Sequence, residues 1–425
     1  MRIVCIGDTH LGPGPRNVDK RAAIDQILRE QIETRVFAWI WLGDVNHARM
    51  TIDDRNWLAE RLQQMAERAP VVIVRGNHDQ DRELDIFARL KAPFPIHVIN
   101  EPTVLALGSQ YMPGVFSREA VSGVRTPLAV AVLPYPFRGG LVSAGASTEQ
   151  VLDDGRHALA VICAEMGQQL TDARVRGLPT LMVGHLNVGG SIASTGQPQI
   201  GREIELDPAS LAAFGDCPKV LGHIHKAQAV GGAVYAGSVS PGDWGEVEIK
   251  RYLVVDYALD GQPPVLTSIP LASRPLFHVE GTLTREGFEG QVLNGPGGLP
   301  QPAPTTWAGC DVRVRYRFAA SERDILDPEV VRAGFREAHT LQLDPVAVPD
   351  RALRAPAVAR ATTLAAKLEA WAEANGEGVD ATVLDRLALL DGSDRDHVLA
   401  ALRARLAALE PAADAALAEA VPCEA

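Results

Sequence analysis

The sequence predicts an α/β fold in which layered sheets are flanked by helices, followed by a small α+β domain and a helical tail. Short apolar runs alternate with amphipathic stretches in the first part of the chain, as in proteins whose buried strands are connected by helices. The chain also has 425 residues, which is too many for one ordinary hydrophobic core. We therefore predict domains at residues 1–270 and 271–345, and a linker with a helical tail at 346–425.

The first predicted domain alternates strands and helices. Because its strand segments are apolar throughout, we expect helices on both faces of the sheet. The apolar runs predict strands at residues 2–6, 37–42, 71–74, 180–183 and 219–221, with further strands over 98–137 and 233–270. Helices are predicted at residues 19–33, 53–68 and 149–170.

The remainder of the chain changes character near residue 271. Strands are predicted at 276–284 and 310–318, separated by a Gly/Pro-rich stretch at 290–305, and residues 328–340 suit a helix. A Pro-containing linker follows at 344–356, and the tail carries apolar helical stripes at 357–374, 380–391 and 395–410. Ser393 with Asp396 predicts the N-terminal cap of the last helix. These stripes fit either a partner-binding tail or a helical hairpin that packs on itself.

Composition excludes several classes of protein. No apolar run approaches the length of a membrane span, so we expect no membrane association. The five cysteines are scattered and form no CxxC pair, which argues against a disulfide framework or a cysteine zinc site and predicts a cytoplasmic protein. The formal net charge is −12, so any contact with nucleic acid requires a local basic patch, metal ions or a partner.

Potential metal ligands follow five of the apolar runs. Because the functional crevice of an open α/β sheet lies beyond the carboxyl ends of its strands, the five turns should converge on one spot. The runs are followed by Asp8 and His10, by Asp44 with His47, by Asn77-His78-Asp79, by His185, and by His223 with His225.

Six of the eleven histidines lie in these turns. Any one of them alone would be better explained as a satisfied core or surface histidine. Six together, accompanied by Asp8, Asp44 and Asn77, indicate a metal site. The other five have no such context, and we assign them no function: His97, His157, His278, His339 and His397.

The ligand types predict two divalent ions. Carboxylate, amide oxygen and imidazole without thiolate favour Mn²⁺, with Fe²⁺ or Zn²⁺ as alternatives. Two cations close together need an anion between them, and Asp44 is the natural bridge. Gly43, Gly76, Gly184 and Gly222 each precede a ligand, where glycine would permit a sharp turn. Such a site suits phosphodiester hydrolysis.

The order DxH, GD, GNHD, GH, GHxH is the signature of the calcineurin-like metallophosphoesterases. Within them the chain resembles the SbcD branch, the nuclease subunits of bacterial SbcCD complexes and relatives of Mre-type repair nucleases. The resemblance covers most of residues 1–345. It is carried by GDTHLG at 7–12, GDVNH at 43–47, GNHD at 76–79, GHLNVGG at 184–190, GHIHKAQ at 222–228 and YAGSVSPGDWGEVEIKRY at 235–252.

This resemblance implies roles for individual residues. His78 matches a catalytic histidine that does not bind metal, His47 a residue that helps to orient the DNA phosphate, and Asp79 a residue that supports His78. One metal would take Asp8, His10, Asp44 and His225, and the other Asp44, Asn77, His185 and His223.

The same resemblance implies a function for the whole chain. It implies a double-strand 3′-to-5′ exonuclease and single-strand or hairpin endonuclease acting in DNA repair and recombination. Residues 271–345 would form a capping domain that guides DNA, the helical tail would dock onto an SbcC-type ATPase, and the nuclease domain at 1–270 would form a homodimer.

Two other functions share much of this pattern. A phosphoesterase that acts on small molecules or proteins would have the same metal site, but it needs neither the second domain nor the tail. A non-catalytic scaffold with a degenerate site would bind DNA or a partner without hydrolysis, and the complete ligand set opposes it.

A basic strand face is predicted in the capping domain. Residues 312–318 alternate, with Arg313, Arg315 and Arg317 on one face and apolar residues on the other. Three arginines on one face can bind DNA phosphates. The alternative is an ordinary solvated strand face.

Overall fold

A computed structural model describes residues 1–80, 82–108, 127–136, 148–194, 203–258, 262–324, 326–349, 356–390 and 395–404. The chain divides into two compact units. The first consists of residues 1–318 and 325–346, and the second of residues 319–324 and 347–425.

The described residues form the following β-strands and α-helices. The strands are β1 (Arg2–Ile6), β2 (Val36–Trp41), β3 (Val71–Val74), β4 (Ile96–Ile99), β5 (Thr103–Leu107), β6 (Leu128–Leu133), β7 (Thr180–His185), β8 (Asn187–Val188), β9 (Glu205–Leu206), β10 (Lys219–Gly222), β11 (Gln228–Val230), β12 (Ala233–Tyr235), β13 (Arg251–Asp256), β14 (Val265–Pro270), β15 (Leu276–Thr284), β16 (Gly287–Asn294), β17 (Asp311–Ala319) and β18 (Thr340–Val348). The helices are α1 (Asn17–Gln31), α2 (Ile52–Ala66), α3 (Thr148–Val175), α4 (Glu329–Ala333), α5 (Pro356–Arg360), α6 (Leu364–Asn375) and α7 (Ala381–Leu390).

Two six-stranded sheets form the body of the first unit. Their strand orders are β14-β13-β1-β2-β3-β4 and β11-β12-β10-β7-β6-β5. The strands β1, β2, β3 and β4 run parallel, as do β6, β7, β10 and β12. The carboxyl ends of the parallel strands therefore lie at one edge of each sheet.

The two sheets pack against each other, which gives three hydrophobic layers. Ile3 and Cys5 of one sheet and Leu181 and Val183 of the other lie in a common buried cluster. Helices α1 and α2 cover the outer face of the first sheet, and α3 covers the outer face of the second. The predicted fold class is confirmed, but each sheet has helices on its outer face and the other sheet on its inner face. A strand covered by helices on both faces and a strand covered by helices on one face and a sheet on the other are both buried on two sides. Both therefore have the same apolar sequence.

The helix boundaries differ by a few residues from the prediction. α2 begins directly after an N-terminal cap that was not predicted: the Thr51 hydroxyl accepts a hydrogen bond of 3.0 Å from the Asp54 amide. α3 extends to Val175, beyond the predicted residue 170.

A separate four-stranded sheet, in the order β16-β15-β17-β18, follows residue 275. It has its own core, in which Val312 and Val314 of β17 pack with Phe335. We refer to the described part of residues 276–348 as the capping sheet, after the capping domain predicted at 271–345. The strands predicted at 276–284 and 310–318 form as β15 and β17, whereas β16 and β18 were not predicted. The predicted helix at 328–340 is reduced to α4, and β18 occupies the start of the predicted linker and runs past residue 345.

The described part of the second unit from residue 356 onward consists mainly of helices. The stripe predicted as one helix at 357–374 forms two helices, α5 and α6, because Thr363 caps the start of α6 by accepting a hydrogen bond of 3.1 Å from the Ala366 amide. Residues 395–404 are also helical. The predicted cap at Ser393 lies outside the described residues. Among the residues described, no helix combines the length and the apolar character that a membrane span requires.

Candidate metal centre

The predicted ligands lie together at the carboxyl ends of the parallel strands from both sheets. Asp8 and His10 follow β1, and Asp44 follows β2 of the first sheet. His185 is the last residue of β7, and His223 follows β10 of the second sheet. The packing of the two sheets thus brings together residues that are as far apart as Asp8 and His223, whose backbone amide donates to the Asp8 carboxylate at 2.9 Å.

One half of the site contains Asp8, His10, Asp44 and His225. Ligand atoms of Asp8, His10 and Asp44 all lie within 4.8 Å of one another. Nε2 of His10 lies 2.8 Å from Nε2 of His225 and 3.5 Å from the Asp44 carboxylate. Two imidazole nitrogens that face each other beside two carboxylates form a donor set that suits a divalent cation.

The other half contains Asp44, Asn77, His185 and His223. The Asn77 side-chain oxygen lies 3.0 Å from Nε2 of His185 and 2.9 Å from Nδ1 of His223. Nε2 of His185 is 3.4 Å from the Asp44 carboxylate. Ligand atoms of Asp44, His185 and His223 also lie within 4.8 Å of one another.

Most of the glycines that precede these ligands are explained by neighbouring atoms that lie too close for a side chain, rather than by a sharp turn. Gly43 alone of the four has a left-handed φ, 102°. At Gly76 a Cβ atom would lie 2.1 Å from Oδ1 of Asp44, and at Gly222 it would lie 2.5 Å from the Leu42 carbonyl oxygen. The predicted role in turning the chain is therefore wrong for Gly76, Gly184 and Gly222, where the absence of a side chain makes room for neighbouring atoms.

Acceptors outside the ligand set determine which ring nitrogen faces inward. Nδ1 of His185 donates to the Leu42 carbonyl at 2.7 Å, which leaves Nε2 for a metal. Nε2 of His223 lies 3.0 Å from the Glu203 carboxylate, which leaves Nδ1. Nδ1 of His225 lies 2.7 Å from the Glu246 carboxylate, which leaves Nε2.

Neither glutamate was predicted as a site residue. Glu203 lies outside all of the motifs in the sequence that predict the site. Glu246 lies within the 235–252 segment that carries the resemblance, and its position in that segment is the one sequence feature that could have pointed to it.

The protonation of the site is coupled to its carboxylates. Burial would raise the pKa of Asp44, but the imidazoles of His185, His10 and His78 outweigh it and hold the pKa far below its usual range. Burial lowers the pKa of His185, and the Asp44 and Asp8 carboxylates outweigh this effect and raise it to about 9. Burial lowers the pKa of His10 well below its usual value, against the attraction of Asp44. Without a metal, the group therefore holds an ionised Asp44 beside a neutral His10 and a protonated His185, and a metal would have to displace the His185 proton to bind there.

His47 and His78 lie side by side at the mouth of the site. Their rings are stacked at 5.1 Å between centroids with an angle of 18° between their planes. Nδ1 of His78 is 3.1 Å from the His47 carbonyl oxygen, which can only accept, so Nδ1 carries a proton and Nε2 is available to a substrate.

Asp79 supports the two ligand loops rather than the His78 ring. Its carboxylate accepts hydrogen bonds from the backbone amides of Gly76 at 2.8 Å and Asn46 at 3.1 Å. Burial and the nearby Asp44 raise the pKa of Asp79 to about 7. The support predicted for His78 is therefore indirect, through the backbone of its loop.

All of the candidate ligands except His185 line a cavity of about 580 Å³. Arg16 and Lys20 also line it, and the Arg16 guanidinium lies 4.8 Å from the centre of the Trp244 ring. Positive side chains beside the predicted metals suit an anionic substrate.

The arginine face of β17 forms as predicted, with Arg315 and Arg317 exposed and the apolar residues turned into the core. Arg313 forms an ion pair with Asp344 at 2.5 Å. Arg315 lies in register with Glu280, and the neighbouring pair of Thr282 and Glu289 shares the same face. The face is therefore mixed in charge.

The first part of the chain matches a known family. Residues 1–157 match the family described as calcineurin-like phosphoesterase, a match that includes Asp8, His10, Asp44, Asn77 and His78. Together with the fold and the clustered His and Asp side chains, this match shows that the chain contains a calcineurin-like metallophosphoesterase domain. That domain belongs to a class of metal-dependent hydrolases that use divalent ions.

Two curated proteins of known name are also similar in sequence to the chain. The chain is 28% identical over 276 residues to the SbcD subunit of the SbcCD nuclease of Escherichia coli strain K12, a match that covers 60% of this chain and 64% of that protein. The protein of the same name from Escherichia coli O157:H7 matches to the same extent. The chain thus spans less than two thirds of the length of the curated relatives that it matches.

Two solved structures are similar at a lower level. A dimetal phosphatase from Danio rerio has a TM-score of 0.38 and 12% identity, covering 64% of this chain and 96% of that one. Vps29 from Chaetomium thermophilum has a TM-score of 0.24 and 12% identity, covering 64% of this chain and 97% of that one.

Proposed function

We propose that the chain is a metal-dependent DNA nuclease that acts in repair and recombination together with an SbcC-type ATPase. Its activities would be 3′-to-5′ exonuclease on double strands and endonuclease on single strands or hairpins. One observation carries the proposal: two sets of ligands share Asp44 at 3.5 Å from His10 and 3.4 Å from His185, within motifs that resemble those of the SbcD branch.

Two divalent ions, for which we propose Mn²⁺, would supply an activated water and offset the charge that develops on the phosphate. Asp44 would hold both ions, and the remaining ligands would fix their positions. Nε2 of His78 would donate a proton to the leaving oxygen or stabilise charge on the phosphate, with Nδ1 fixed by the His47 carbonyl at 3.1 Å. His47 would orient the phosphate through its exposed ring, and Asp79 would hold the loops of Asn46 and Gly76.

The second unit supports the partner in this proposal. Several large apolar side chains on its helices are exposed, among them Trp371 at 47% and Leu402 at 52%. Exposed apolar stripes on short helices suit docking onto another helical surface. We propose that these helices bind the ATPase and that the nuclease domain forms a homodimer.

Charge favours a second candidate, a phosphoesterase for small molecules or proteins. The net charge is −12, and Glu280, Glu289 and Asp344 share the arginine face of the capping sheet. A small substrate would need only the cavity of about 580 Å³ with its Arg16 and Lys20.

A nuclease assay with Mn²⁺ separates the two candidates. We expect cleavage of labelled single-stranded, double-stranded or hairpin DNA, measured with and without an SbcC-type ATPase, and no cleavage by the Asp44→Ala variant. Hydrolysis of bis(p-nitrophenyl) phosphate without cleavage of any of these DNAs would overturn the nuclease proposal and leave the second candidate. Wild-type protein that binds no Mn²⁺ would overturn both.

A further inference from the structure

Glu246 is a fully buried carboxylate at the edge of the candidate metal centre, with a relative exposure of 1%. One of its oxygens lies 2.7 Å from Nδ1 of His225. The other accepts from Nζ of Lys250 at 2.6 Å, from the Ser238 hydroxyl at 2.9 Å and from the Gly242 amide at 3.2 Å. Both carboxylate oxygens therefore have partners.

Lys250 makes this arrangement unusual, because it is buried to the same extent as Glu246. Nζ of Lys250 also donates to the Glu248 carboxylate at 2.8 Å. Removing an ammonium and a carboxylate from water costs more than a surface ion pair returns, so such a pair is weak support for stability alone. A buried, fully hydrogen-bonded pair is better suited to fixing the position of a functional side chain.

The side chain in question is His225. A carboxylate on Nδ1 fixes the tautomer and the ring orientation of a histidine and leaves Nε2 for a metal. Nε2 of His225 lies 2.8 Å from Nε2 of His10, within the first half of the centre.

The segment that carries Glu246 is also attached to the capping sheet. The Trp244 carbonyl oxygen accepts a hydrogen bond of 2.6 Å from Nε2 of His278 in β15. The Val247 carbonyl oxygen accepts one of 2.7 Å from the Gly297 amide. Residues 244–247 thus contact the capping sheet through their backbone while the Glu246 side chain holds His225.

We propose that Glu246 is a positioning residue for the metal centre and that residues 244–250 couple the capping sheet to His225. This inference rests on the proposed metal centre. A displacement of the capping sheet, for example by a bound substrate, would move the Glu246 carboxylate and with it the His225 ring.

The test measures binding of Mn²⁺ alone by electron paramagnetic resonance, which distinguishes free, single and paired bound ions. We expect Glu246→Gln to weaken one of the two sites by about tenfold or more, as is typical when the partner of a ligating histidine is lost. At limiting metal, its spectrum should show single bound ions where the wild type shows pairs. Glu248→Gln is the matched control, because Glu248 touches Lys250 but no candidate ligand, and it should bind like the wild type.

The same substitution made in a His225→Ala variant shows whether Glu246 acts through His225. In His225→Ala, a further Glu246→Gln change should have no additional effect on Mn²⁺ binding, and a full additional loss would overturn the positioning role. If Glu246→Gln does not fold because the buried Lys250 keeps only the Glu248 carboxylate as an anionic partner, the variant Glu246→Ala with Lys250→Met serves in its place. Wild-type affinity in either Glu246 variant overturns the inference while the metal centre stands. A wild type that binds no Mn²⁺ overturns the metal centre itself.

A separate substitution tests the coupling between the capping sheet and His225. His278→Ala removes the outer hydrogen bond to Trp244, and we expect weaker binding of Mn²⁺ at the same site, with a smaller loss than in Glu246→Gln. Thr282→Ala, on the same face of β15 but without this contact, is the control. Unchanged binding in His278→Ala overturns the coupling.

Discussion

Asp44 stands between the two halves of the candidate metal centre. Its carboxylate lies 3.5 Å from His10 on one side and 3.4 Å from His185 on the other. One of its oxygens also accepts from the His78 amide at 2.8 Å. The residue is held in a left-handed conformation with φ of 47°. A non-glycine residue in this conformation is strained, which is common where a side chain must be aimed at a functional site.

The Asp44→Ala change should abolish tight binding of both ions, because the one carboxylate shared by the two halves is lost. Isothermal titration with Mn²⁺ measures this. The control is His157→Ala, which removes an exposed histidine of α3 and should leave both binding steps intact. Two intact binding steps in Asp44→Ala would contradict the shared role.

The His78→Ala change should separate chemistry from metal binding. We expect both Mn²⁺ ions to bind as in the wild type while turnover falls by about 10²- to 10⁴-fold, the usual contribution of a proton-transfer group. The measurement is kcat on single-stranded DNA or bis(p-nitrophenyl) phosphate at saturating Mn²⁺. Normal turnover would exclude the proposed role of His78.

Gly76 offers a test of close packing in the centre. A Cβ atom would lie 2.1 Å from Oδ1 of Asp44, so Gly76→Ala should displace the carboxylate and weaken Mn²⁺ binding. Gly378→Ala is the control, since nothing lies within 4 Å of the added atom. Tight Mn²⁺ binding by Gly76→Ala, measured by the same titration, would show that the loop can shift at little cost.

At the scale of elements, β17 presents its arginines to solvent beside acidic neighbours. Arg313 is already paired with Asp344 at 2.5 Å, and Arg315 lies in register with Glu280. Arg315 and Arg317 are the exposed members of the set. If the capping sheet binds DNA, these two side chains should contribute more than Arg313.

The Arg315→Gln/Arg317→Gln variant should bind DNA more weakly. The slope of log K against log[salt] should become less steep by about 1.4 to 1.8, because two phosphate contacts are lost. Adding Arg313→Gln should change the slope little further. Fluorescence anisotropy over a range of salt concentrations gives the slope. An unchanged slope would support the ordinary solvated strand face instead.

At the scale of the whole molecule, the chain separates into a folded unit that holds the metal centre and a helical unit with exposed apolar side chains. Short helices are marginal in water without a surface to pack against. Leu399 is 38% exposed and Leu402 is 52% exposed, so the described helices leave apolar area available to a partner.

Deletion of residues 352–425 should leave a folded protein with Mn²⁺-dependent activity on single-stranded DNA but without binding to an SbcC-type ATPase. ATP-stimulated cleavage of duplex DNA should be lost with it. Leu399→Asp with Leu402→Asp should reproduce the loss without unfolding the first unit, as checked by circular dichroism. Full affinity of the truncated protein for the ATPase would place the docking site elsewhere, and aggregation would favour the self-packed hairpin.

The sequence by itself determined the positions of the strands that carry the site and the candidate ligands that follow them. Both are local properties: an apolar run buries a strand, and a polar residue just beyond it lies at the strand's carboxyl end. Asp8, Asp44, Asn77, His185 and His223 were identified in this way and lie together in the structure.

Only the tertiary structure decided which groups surround these ligands. The second sheet covers a face for which helices were predicted, because an apolar strand does not specify what covers it. Glu203 and Glu246 contact His223 and His225 across 20 and 21 residues of chain, and Asp344 reaches Arg313 across 31. Such contacts depend on how separate elements pack, and neither periodicity nor motif spacing contains that information.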